Sequence, residues 1–133
     1  MNIQTNANHC LILVAHGSRR NNANNEVLTL THQLQQHIDQ TPYDQIVCGF
    51  VELASPSVID ACRQLINDAN TPSITVDLMP YFLSSGNHVE KDIPALVQTI
   101  SQMPSVNACQ QLDYIGKEQA LFSFLLARMN RKP

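Results

Sequence analysis

Apolar and polar positions along this chain fall into blocks that switch repeatedly between two periods. Cys10 to Ala15, Gln45 to Val51, Ser73 to Met79 and Asn107 to Asp113 read as strands. The runs ending at Ala15 and Met79 are apolar enough for strands buried on both faces, whereas the last is polar and reads as an edge. Between them the spacing turns helical. Val27, Leu30, Leu34 and Ile38 mark a helix over about Asn22 to Asp39. Ser55-Pro56 offers a cap and a first-turn proline for a second helix, which buries Val58, Ile59, Cys62, Leu65, Ile66 and Ala69. A third follows Asp92-Ile93-Pro94, with Asp92 as cap and Leu96, Val97, Ile100 and Met103 as its stripe. A fourth, Lys117 to about Met129, is expected to bury Leu121, Phe124, Leu125 and Met129. Strands alternating with helices at this spacing predict an α/β fold: a four-stranded parallel sheet, right-handed crossovers, helices on both faces.

Length and charge narrow the picture. The 133 residues are expected to form one domain, residues 1–133, with no repeat or linker. A net charge of -3 argues against nucleic acid, which binds through Lys and Arg. Arg128, Arg131 and Lys132 read as a solvated tail. No run approaches the roughly 20 apolar residues that cross a bilayer, and Met1 to His9 lacks the order of a signal peptide, so no membrane partner is expected. Cys10, Cys48, Cys62 and Cys109 form no CxxC and read as small core residues of a reducing, cytoplasmic protein.

Candidate chemistry gathers at the strand ends. Val14-Ala15-His16-Gly17 ends the first strand, and the long connection Tyr81 to Lys91 after the third carries Gly86-Asn87-His88. In open α/β sheets this edge is where ligands bind, and long ordered loops there are usually functional. Phe50-Val51-Glu52 adds a carboxylate to the same edge, and Asp92 stands four residues from His88, within reach to orient its ring. Two imidazoles and a glutamate suit a divalent transition metal. A strand-end histidine can equally bond backbone, and a lone glutamate there can be a solvated end. His9, in a frayed start, and His32 and His37, five apart on a helix, read as structural or solvated. The Gly17 turn has neither GxGxxG nor GxxxxGK[ST], a histidine phosphatase would need arginine where Ala15 stands, and GxSxG is absent.

His16-Gly17-Ser18-Arg19, Phe50-Val51-Glu52-Leu53-Ala54-Ser55-Pro56 and Pro80-Tyr81-Phe82-Leu83-Ser84-Ser85-Gly86-Asn87-His88 with Asp92-Ile93-Pro94 resemble the small single-domain sirohydrochlorin chelatases, of the cobalt- and iron-inserting class II. The resemblance spans nearly the whole chain. It implies a half-size chelatase fold, a homodimer, and insertion of cobalt, iron or nickel into an anionic modified tetrapyrrole, with the metal as substrate and no permanently bound cofactor. It maps the metal histidines onto His16 and His88 and the acid onto Glu52. Arg20-Asn21 and Glu118-Gln119 depart from the family pattern. Substrate carboxylates would meet Ser18, Arg19, Ser84 and Ser85, while Tyr81-Phe82-Leu83 lines a macrocycle wall or packs as core, the latter expected of Leu83. A metal carrier using the same histidines, or a binding module for an anionic small molecule, stays open beside the chelatase.

Overall fold

A computed structural model describes residues 8–131. Residues 1–7 of the polar start, and Lys132 of the basic tail, lie outside the described residues. Four strands, β1 (Asn8–Ala15), β2 (Gln45–Phe50), β3 (Ile74–Pro80) and β4 (Val106–Gln111), form one parallel sheet in the order β2-β1-β3-β4. Helices α1 (Asn21–Gln36), α2 (Val58–Asp68), α3 (Ile93–Ser101) and α4 (Gln119–Met129) follow the strands in turn.

The sheet's two sides bury different residues because successive side chains of a strand alternate between faces. Cys10, Ile12 and Val14 of β1 join Val76 and Leu78 of β3 beneath α2 and α3, which contribute Cys62, Leu65, Ile93 and Ile100. Leu13 and Ala15 face the other way, with Phe50, Cys48 and Val27 of α1. The polar β4 is an edge, as its composition predicts.

Four local expectations need correction. The α2 cap is Ser57, whose Oγ accepts from the Asp60 N–H at 3.1 Å. Ser55-Pro56, joined by a cis peptide, is still extended there, because the Pro56 carbonyl accepts from the Phe50 N–H of β2 at 2.8 Å. Asp92 caps nothing: it has helical dihedrals in a π-helical turn, His88–Asp92, that runs straight into α3. Its carboxylate is bound to His88 instead. His9 is not frayed but pairs with Thr75 within the sheet. Finally, α4 buries no residue, so Phe124, Leu125 and Met129 stand exposed rather than in a core.

The four thiols sit in or against this core, and burial raises them. Cys10 is pushed up to about 12, Cys62 to about 11 and Cys109 to about 12, and Cys48 is raised as well. Thiols held protonated in this way are poor metal ligands at neutral pH.

Candidate metal centre

The site lies where the strand order turns. The connection after β1 leads outward to β2, whereas β3 lies on β1's other side, and the crevice between the two connections opens at the strands' carboxyl ends. His16 follows β1 and His88 lies beyond β3 on the same edge.

Gly17 explains how the first loop reaches the second. Its φ of 95° is a left-handed conformation that suits glycine, and a Cβ there would fall 1.7 Å from the Glu52 carbonyl oxygen. The two backbones therefore touch. The ladder also continues past the strands, with the Val51 N–H on Ala15 O at 2.8 Å and the Glu52 N–H on His16 O at 3.0 Å. These contacts bring His16 Nε2 to 2.8 Å from Glu52 Oε2. Leu53, next in the chain, takes a φ of 65°, an uncommon conformation for leucine that tends to cluster at functional sites.

His88 arrives from the π-helical turn. Such segments appear frequently at functional sites. Its Nδ1 lies 2.6 Å from Asp92 Oδ2, and since a carboxylate only accepts, the Nδ1–H donates there and Nε2 is the nitrogen left for another partner. The Phe82 ring stacks on it with centroids 5.9 Å apart, and the His16 ring lies 4.5 Å away. Ligand atoms of His16, Glu52 and His88 all lie within 4.8 Å of one another. A first-row cation bonds nitrogen and oxygen at about 2.0–2.2 Å, so its ligand atoms stand at most about 4.4 Å apart. A slight closure of the side chains would complete the set. Glu52 and Asp92 also line a cavity of about 370 Å³ beside α3, together with Val51, Ala95, Leu96 and Thr99.

The remaining sequence candidates separate. Arg19 and Ser84 are exposed on the rim. The Ser18 hydroxyl accepts from the Arg20 N–H at 3.0 Å, and the Ser85 hydroxyl donates to Glu90 at 2.5 Å, so both are already engaged locally. Phe82 is half-buried against His88, whereas Leu83 is exposed and belongs to no core. His32 and His37 lie exposed on α1 or at its end, away from the cluster. Sequence reasoning missed Asn24. Its side chain clamps the His16 loop, accepting from the Ser18 N–H at 2.9 Å and donating to Ser18 O at 2.7 Å. Only its distance of six residues from Ser18 hinted at this.

The fold and the cluster define a parallel α/β domain with two histidines and a glutamate gathered on its strand-end rim, in an arrangement that could hold a metal ion. A family model described as CbiX matches residues 10–132, and the chain belongs to that family. The chain is 32% identical over 87 residues to a sirohydrochlorin cobaltochelatase of Methanococcus maripaludis, covering 65% of this chain and 56% of the relative. It therefore spans little more than half of that relative's length. A sirohydrochlorin cobaltochelatase of Sulfurisphaera tokodaii is 27% identical over 119 residues, with 90% and 89% covered. The sirohydrochlorin chelatase SirB from Bacillus subtilis subspecies spizizenii, solved in complex with cobalt, shares the fold with a TM-score of 0.75 at 20% identity. The match covers 92% of this chain and 50% of that one.

Proposed function

We propose that the protein inserts a divalent metal, cobalt first among cobalt, iron and nickel, into sirohydrochlorin or a related modified tetrapyrrole, in cobalamin or sirohaem biosynthesis. The observation that carries the reading is the convergence of His16, Glu52 and His88 within 4.8 Å at the open edge of the sheet. Relatives named sirohydrochlorin cobaltochelatase support the substrate.

Insertion exchanges one M²⁺ for two pyrrole protons, so the site must hold a partly dehydrated cation weakly and accept protons. His88, its Nδ1–H spent on Asp92, offers Nε2 to the metal. His16 gives up its contact with Glu52 when it ligates, and the released, half-exposed carboxylate takes the two pyrrole protons in turn, passing the first to solvent before it accepts the second. Imidazole suits the borderline metals named here, and a mostly exposed rim keeps the cation exchangeable. The macrocycle lies against Phe82 and Leu83, with its carboxylates near Arg19 and Ser84, the two polar candidates whose side chains face solvent. Two copies of the chain enclose the flat substrate better than one open rim. A reducing cytoplasm suits four protonated thiols.

The deciding experiment follows the visible absorbance of sirohydrochlorin with each divalent metal, with and without protein. The reading expects faster metallation with cobalt. Cobalt binding with no change in the tetrapyrrole rate would overturn it in favour of a metal carrier.

A further inference from the structure

The two rim histidines are held in different ways. The His88 ring is fixed by side-chain contacts: Nδ1 lies 2.6 Å from Asp92 Oδ2, and the Phe82 ring stacks on it with centroids 5.9 Å apart. Both contacts remain available when Nε2 takes a metal. The His16 ring bonds only to Glu52 among the described residues, through Nε2 at 2.8 Å. That contact is given up when His16 ligates, so its direction then depends on its backbone.

The backbone is pinned on two sides. On one, the His16 carbonyl accepts from the Glu52 N–H at 3.0 Å, and Gly17 lies against the Glu52 carbonyl. On the other, Asn24 holds both backbone groups of Ser18. Its Oδ1 accepts from the Ser18 N–H at 2.9 Å, and its Nδ2–H donates to Ser18 O at 2.7 Å. The amide thus satisfies the chain just past the point where the β-ladder ends. Side chains of a helix lean toward its N-terminus, so a residue in the first turns of α1 reaches back over the loop before it. Asn24 is half-buried among exposed Asn21, Asn22 and Asn25. Asparagine offers a donor and an acceptor side by side at this short reach.

We propose that Asn24 is a positioning residue for the divalent cation: by fixing Ser18 it fixes the backbone of His16, and so sets how tightly His16, Glu52 and His88 close on the metal. Ligand atoms now up to 4.8 Å apart must draw within about 4.4 Å of one another. A clamped loop lets the ring turn without letting its root drift, so less freedom is lost on closing. The proposal rests on His16 being a metal ligand. It also has a sign that charge alone would reverse. An aspartate at position 24 adds attraction for a cation and suits the start of a helix. Yet it cannot donate to Ser18 O, and two acceptors would face each other where 2.7 Å now separates a donor from an acceptor.

Titration of cobalt alone into the full chain tests this, with circular dichroism and a thermal melt for each variant. Asn24→Ala should weaken cobalt binding about tenfold, as loss of groups that orient a metal ligand does. Asn24→Asp should weaken it too, against its added charge. Asn25→Asp, the same charge on an exposed neighbour, should not. On a His16→Ala background, Asn24→Ala should bring no further loss. If Asn24→Ala melts too early to titrate, Asn24→Asp decides. Unchanged affinity in both Asn24 variants, beside a loss in His16→Ala, would overturn the positioning and leave the metal centre standing. An equal loss from Asn24→Ala with and without His16 would make the clamp a general brace and overturn it as well. Cobalt affinity indifferent to His16→Ala would remove the ligand reading itself, and the positioning with it.

Discussion

At the foot of the sheet His9 Nε2 lies 3.2 Å from Asp77, and at the rim, seven residues along the same chain, His16 Nε2 lies 2.8 Å from Glu52. The foot pair is closed. Asp77 is buried and also accepts from the Tyr43 hydroxyl at 2.7 Å and the Gln110 amide at 3.0 Å, while the Tyr43 ring packs on His9 with centroids 4.6 Å apart. Each carboxylate oxygen is engaged, so the group holds β1, β3 and β4 together. The rim pair is open. Glu52 is half-exposed, and His88 stands beside it with a free nitrogen. A histidine bound to a carboxylate is therefore no signature of function by itself. Access to solvent and a third convergent side chain set the rim cluster apart from the brace.

The comparison breaks most sharply under alanine. His16→Ala and His88→Ala should each abolish metal insertion while leaving the chain folded, and for the exposed His16 unfolding free energy should stay within about 0.5 kcal/mol, as for surface positions. Absorbance assays beside thermal melts read both quantities. Near-normal rates in both variants would dismiss the rim as a metal centre.

Glu52→Gln is the next largest effect, since the amide keeps size and an acceptor but loses charge and basicity. A general base predicts a loss of roughly 10²–10⁴-fold in rate at saturating metal. If Glu52 is mainly a ligand, metal affinity falls instead and the rate recovers at high metal. Titrating cobalt against both proteins separates the two, and an unchanged saturated rate would exclude the base.

The foot gives the mirror image. Asp77→Ala strands three donors around a buried gap and should cost about 2–3 kcal/mol in urea unfolding, as for hydrogen bonds to a charged group. Turnover per folded molecule should not change. A drop in turnover at full folding would join foot and rim into one unit and defeat the comparison.

The two ends also differ in how far the sequence revealed them. The convergence at the rim was legible because each of the three residues stands just beyond an apolar run or at a glycine after one: His16 before Gly17, Glu52 after Phe50-Val51, His88 after Gly86. The brace was not. His9 precedes the apolar run and reads as frayed, since nothing local signals that Asp77, sixty-eight residues on, lies in an adjacent strand. The capping errors share a cause. Asp92 and Ser55 are competent caps, but one carboxylate is taken by His88 and the backbone beside the other serves β2. For α4, periodicity predicts an apolar helix correctly but not what covers it.

The smallest effect concerns Tyr43, whose phenol is held well above its ordinary value by burial, then by its hydrogen bond to Asp77 and that group's charge. Below about pH 10, the usual tyrosine value, folded and unfolded chains both keep the proton and the contribution is constant. Above it the unfolded chain loses the proton while the folded chain keeps it, so stability falls as pH rises. The raised thiols act in the same direction from about pH 8.5. Tyr43→Phe isolates the tyrosine. At pH 7 the variant should lose about 1–2 kcal/mol with the hydrogen bond. Its stability should then decline less steeply than the wild type's above about pH 10, so the two curves approach each other, while the thiol slope remains in both. Urea unfolding from about pH 7 to 11 reads this directly, with His16→Ala as the rim control expected to track the wild type throughout. Parallel curves for Tyr43→Phe and wild type would mean that neither burial nor Asp77 holds the phenol's proton in the folded chain, and the foot would lose its claim to be a closed network.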